Sequence, residues 1–294
     1  MQQSIQLQNN EIAQKIVDYL NTSPRAITSE LMREVNPSGL NTLRIYQALF
    51  SGFIGLDPDN DHDRMLEETY IWPGIQELSI NEFINDPYYQ YIKIPIEACE
   101  NWNFTYEKYE PFEAFVCNDI KVNPDGVEIP QIGYFTQAFQ YPVVEENGRE
   151  WMAIKPSEIL SMREPIKAIR GNVITFGLGL GYFAFMASEK NDVKQVTIIE
   201  RDPHVIHLFT HFILPQFPHK EKINIIHEDA FVFMQSMTNN QGQAFDYAFV
   251  DLWHDASDGL ELYLRSKQIS EKIKDTRFLF WVENTLRSAE NWYK

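Results

Sequence analysis

The chain has 294 residues, 44% hydrophobic and 14% aromatic, with a formal charge of −17. That is enough apolar material for one large or two modest cores. No apolar run is as long as a membrane span, the polar opening MQQSIQLQNNEIAQ lacks the order of a secretory leader, and two cysteines, Cys99 and Cys117, make neither a disulfide framework nor a zinc site, so a soluble cytoplasmic protein is expected.

Charge is uneven. Residues 1–150 hold 9 Lys+Arg against 24 Asp+Glu, and residues 151–294 hold 16 against 18. An acidic surface repels phosphate backbones, which disfavours nucleic acid as a partner and suits a cationic one. Solubility alone accounts for the charge equally well.

Residues 1–90 read as an acidic helical region. Ile12, Ile16, Val17 and Leu20 share a helix face, Ser29 can cap a second helix that Asn36-Pro37-Ser38-Gly39 stops, and Asn41–Phe53 gives a third. Residues 91–155 read as a β-rich segment, with Asn147-Gly148 as the tight turn of a hairpin. Residues 156–294 alternate. A helix opens at Pro156-Ser157-Glu158, with Pro165 a place for a kink. Strands are expected at 173–176, 195–199, 223–226, 246–250 and 277–282, with helices between them. Strands apolar throughout imply cover on both faces, hence a doubly wound parallel α/β sheet.

Ligands of such sheets bind at the carboxyl ends of the strands. The first strand ends in Gly177, Gly179 and Gly181. A dinucleotide loop, GxGxxG, would need glycine where Tyr182 stands, and no GK[ST] follows, so a compact nucleoside is the better fit. The second strand ends in Glu200, a carboxylate able to accept from ribose hydroxyls or simply a surface acid. The third ends in Asp229-Ala230, where Asp229 can accept from an exocyclic amine, cap the next helix, or do both. The fourth ends in Asp251, in a loop with Trp253, His254, Asp255 and Asp258. These are groups suited to a general base or a cation pocket, though Asp255 could equally be a helix cap.

These four strand ends, in this order, resemble the class I S-adenosylmethionine-dependent methyltransferases, and the layout looks most like the spermidine-synthase branch. The resemblance covers roughly residues 150–285. It implies a Rossmann-like core of strand order 3-2-1-4-5 behind a helical and hairpin region, with S-adenosyl-L-methionine as cofactor. It places Gly177, Gly179 and Gly181 under the methionine and ribose, Glu200 on the ribose, Asp229 with Ala230 at the adenine, and Asp251 near the reacting centre with His254 and Asp255 as catalytic companions. Spermidine synthases carry an acid in the glycine loop where this chain has Leu178 and Leu180, which weighs toward methyl transfer. The expected function is methyl transfer to a small or cationic acceptor. The alternatives are aminopropyl transfer from decarboxylated S-adenosylmethionine and a non-catalytic nucleoside-binding regulator. A homodimer is compatible with this reading; a membrane partner is not.

Three other signals read as ordinary structure. Asp57–Glu68 has calcium-loop spacing but His62 where the turn glycine belongs, so a solvated acidic loop is expected. His204, His207 and His211 share a helix face without a fourth ligand, and no metal is expected. The aromatic run 86–112 reads as packing before it reads as a cation pocket.

Overall fold

The computed structural model of the chain describes residues 2–238 and 244–292. Its strands, in chain order, are β1 (Ile75–Glu77), β2 (Glu97–Cys99), β3 (Trp102–Tyr109), β4 (Phe115–Val122), β5 (Glu128–Tyr134), β6 (Phe139–Glu146), β7 (Arg149–Ala153), β8 (Gly171–Phe176), β9 (Val193–Glu200), β10 (Ile223–His227), β11 (Tyr247–Val250) and β12 (Arg277–Phe280). Two compact units form, and they do not follow chain order. One is built mainly from Met1–Phe83 and Lys108–Gln140, the other from Ile84–Glu107 and Tyr141–Glu290. Among the described residues no helix is long and apolar enough to cross a membrane.

In the first unit, helices Gln2–Thr22, Ser29–Val35 and Thr42–Phe53 pack with the sheet β1-β5-β4. Ile12, Ile16, Tyr19, Tyr46, Phe50, Tyr70 and Tyr134 form its core, with the Tyr46 and Tyr134 rings stacked at 3.7 Å. Thr28, not Ser29, caps the second helix. Thr28 is the extended residue, and its hydroxyl accepts from Leu31 N at 3.2 Å. The acidic segment forms no calcium loop. Asn60 caps a helix, Asp61–Leu66, that runs through the would-be ligand positions Asp61 and Asp63.

The second unit carries a five-stranded, wholly parallel sheet in the order β10-β9-β8-β11-β12. The glycine strand β8 lies at its centre. Val173, Ile174, Phe176, Val196, Ile198, Ala248, Phe249 and Val250 are all buried, as strands covered on both faces must be. The last strand is shorter than its apolar run: Val282 takes φ +43°, and the chain turns into helix Glu283–Trp292. The N-terminal strands do not complete this sheet's edge; they lie in sheets of their own. Helix Pro156–Ala168 runs through Pro165 unsplit, and Ile169 N closes its end by donating to Pro165 O at 3.2 Å.

The remaining sheet has the order β2-β3-β6-β7, leaving β7 on an edge. Asn147 and Gly148, at φ +53° and +73°, make the β6–β7 turn, the pair of left-handed residues a two-residue hairpin favours.

The cap assignment has a direct test. Thr28→Ala should cost about 1 kcal/mol in urea unfolding, whereas Ser29→Ala should stay within about 0.5 kcal/mol. Equal effects would contradict the cap.

Candidate functional site

β8 runs into a loop whose three glycines all have positive φ: +100° at Gly177, +48° at Gly179 and +77° at Gly181. Gly177 also leaves no room for a side chain, since a Cβ there would overlap the backbone carbonyl of Asp251. Asp251 N donates to Phe176 O at 3.0 Å, and Gly177 N to Ile199 O at 3.0 Å, so the loop departs from between β9 and β11.

The loop is held from behind. Leu178 and Leu180 are buried, which accounts for leucine where an acid was looked for. Tyr88 Oη donates to Leu180 O at 2.5 Å, and Tyr182 Oη to Asp86 Oδ2 at 2.9 Å. Asp86 Oδ1 in turn accepts from Tyr88 N, capping helix Pro87–Tyr91. Burial pushes the Asp86 carboxyl up, against the pull of Tyr182. Tyr88 of the aromatic segment is thus packed and tied to the loop.

Glu200 stands opposite Leu178. Its Oε2 accepts from Leu178 N at 3.1 Å, and its Oε1 from Arg201 N and Asp202 N at 2.7 and 2.8 Å. Burial raises this carboxyl and the three backbone donors oppose the rise. A carboxylate offers about four acceptor places, so Oε2 keeps one for a hydroxyl. Asp229 is exposed and caps its helix through Oδ1, which accepts from Phe231 N and Val232 N at 2.9 and 3.0 Å. Ala230 is buried just behind it. The Arg265 guanidinium lies 3.8 Å over the Phe231 ring.

Of the charged residues in the loop after β11, Asp251 is partly buried, whereas His254, Asp255 and Asp258 are exposed. Asp255 is the N-cap of helix Ala256–Ser270, in a reciprocal capping box with Asp258. His254 is exposed, its N bonded to Asp258 and its Nδ1 3.4 Å from Asp255 Oδ2. Trp253 is buried, and its indole N–H has no partner among the described residues.

Sequence reasoning missed Glu158. It lies in the first turn of helix Pro156–Ala168 and is only 5% exposed. Its spacing was the available signal: Glu158, Met162 and Ile166 recur at four-residue intervals on the buried face. Among the described residues neither the Glu158 nor the Asp251 carboxylate has a hydrogen-bond partner. Burial and the Asp251 charge push the Glu158 carboxyl well up, with Lys155 pulling down and Glu150 pushing further. Burial pushes Asp251 up to about 7. Lys155 is itself paired with Glu150, Nζ to Oε1 at 2.5 Å. Two such carboxyls cannot both ionise cheaply.

Elsewhere, His207 and His211 are exposed with rings 4.2 Å apart. In the first unit Glu11, His62 and Asp63 bring potential ligand atoms within 4.8 Å of one another, but Asp63 Oδ2 already accepts from Asp57 N.

No family model matches the chain, and no curated protein does. Among solved structures it is similar to a "putative O-methyltransferase" from Klebsiella pneumoniae, at 19% identity and a TM-score of 0.27. That match covers 35% of this chain and 44% of the other, and a likeness so slight carries no argument about this one.

Two predictions follow from the geometry. Carboxyls with raised folded-state values bind a proton more tightly folded than unfolded. Their contribution is complete below the unfolded range near pH 4 and lost as pH rises toward about 7. The urea midpoint should therefore fall between pH 5 and 8, and Glu158→Gln should flatten that fall; an unchanged slope would remove the coupling. Gly177→Ala, with a positive φ and a backbone carbonyl in the way, should cost on the order of 3 kcal/mol in the same assay.

Proposed function

We propose that the second unit binds S-adenosylmethionine at the glycine loop and transfers its methyl group to a small acceptor, cationic or made nucleophilic by proton loss. Asp251 is the observation that carries this reading. It is a carboxylate without a hydrogen bond, seated where β11 ends, with its own backbone against Gly177. A carboxylate so placed favours a positive charge or an acidic proton beside it.

The chain's groups divide the work. Glu200 Oε2 accepts from the ribose, and Asp229 Oδ2, unused by its helix cap, accepts from the adenine amine. The glycine strand at the centre of the sheet suits the methyltransferase core. The sulfonium is already a good leaving group, so holding donor and acceptor in line supplies most of the acceleration. Asp251 takes the acceptor's proton, and Glu158 sets the charge at which it does so. His254 and Asp255, exposed and committed to the cap, orient that loop.

Aminopropyl transfer is the second reading. The Glu158–Asp251 pair suits an amine acceptor and favours it; the buried Leu178 and Leu180, which leave no acid in the loop for an aminopropyl amine, count against it.

Calorimetric titration of S-adenosylmethionine, its decarboxylated form, methylthioadenosine and S-adenosylhomocysteine separates the readings. Methyl transfer expects preference for the carboxylated donor; preference for the decarboxylated form would favour aminopropyl transfer, and binding of none would end both. Glu200→Ala should weaken every nucleoside, while Asp251→Asn should leave their affinity nearly unchanged and slow transfer about 10²–10⁴-fold.

A further inference from the structure

The glycine loop already holds a side chain. Met152, on edge strand β7, places its sulfur where a Cβ on Gly179 would overlap it, and Leu180 N donates to that sulfur at 3.4 Å. The open face of the middle glycine and a backbone N–H of the loop are therefore both engaged by Met152. We propose that Met152 is a resident occupant of the glycine loop, that a thioether or sulfonium nucleoside must displace it, and that edge strand β7, moving away from a fixed β6, is the lid that carries it.

Three features support the exchange. The occupant is chemically apt: a methionine side chain is a thioether on a short carbon tether, so the loop already accommodates sulfur. It is also cheap to withdraw. β7 pairs only with β6, and that ladder is irregular at Val144/Glu145, next to the Met152–Val144 pair. Finally, the movement has a fixed point two residues on. Ile154 N donates to Pro142 O at 3.0 Å, and Tyr89 Oη donates to Ile154 O. Beyond that anchor Ile154 is fully buried, whereas Met152 is only partly so. An occupant present in most molecules lowers apparent affinity by the fraction of loops it leaves open.

The proposal rests on the nucleoside reading, and the test separates the two. Methylthioadenosine and S-adenosylmethionine are titrated into the wild-type chain, Met152→Ala and Met152→Leu, with circular dichroism confirming that each folds. Removing the occupant should tighten binding of both about tenfold or more, and Met152→Leu, which refills the space, should stay within about threefold of wild type. Binding by Met152→Ala alone would also support the proposal. Equal or weaker binding by Met152→Ala, with wild type still binding, would overturn the lid and leave the nucleoside site standing. No binding by either would overturn both. In wild type, the ¹³C-methyl resonance of Met152, assigned by its loss in Met152→Leu, should move as methylthioadenosine saturates; a resonance unmoved by bound ligand would overturn the proposal even if Met152→Ala does not fold.

Discussion

The second unit depends on how closely Gly177 approaches the carbonyl of Asp251. Any side chain at position 177 would separate the ends of β8 and β11, and the loop could no longer leave between β9 and β11. With glycine there, the last pair of the β8–β11 ladder, Phe176 with Val250, is closed by Asp251 N donating to Phe176 O. That closing bond fixes where β11 ends, and so where the Asp251 carboxylate begins. The site is thus placed by backbone contact, with side chains filling in afterwards.

Around that contact, most strand-end acids serve the main chain. Glu200 ties Leu178, Arg201 and Asp202 together, Asp229 caps one helix and Asp255 another. Such bonds stabilise the charged form and keep these groups in place. Asp251 and Glu158 differ because nothing in the main chain neutralises them. Their removal from water is unfavourable to folding.

Much of this was legible in the sequence because it follows from periodicity and backbone sterics. The apolar strands, the Asn147-Gly148 turn and the glycines that demand positive φ needed only local rules. What was not legible depends on tertiary neighbours. Glu158 looked like an ordinary first-turn acid, and only the packing of its helix shows it buried. Leu178 and Leu180 looked like a missing acid until the loop turned them into the core. Thr28 rather than Ser29 became the cap because adjacent hydroxyls are equivalent until the backbone chooses which is extended. The division into units was hidden as well, since strands far apart in sequence share sheets.

The tie between Tyr88 and Leu180 joins positions 92 residues apart. On a translating ribosome the tyrosine emerges first and meets its carbonyl acceptor only after the glycine strand has been made. At about 5–20 residues per second, the segment around Asp86 waits on the order of ten seconds with its aromatic rings unsheltered. For that interval the nascent chain presents Tyr88 and Tyr89 to whatever shields exposed apolar segments. The back wall of the loop is therefore finished late in synthesis, even though its residues are made early.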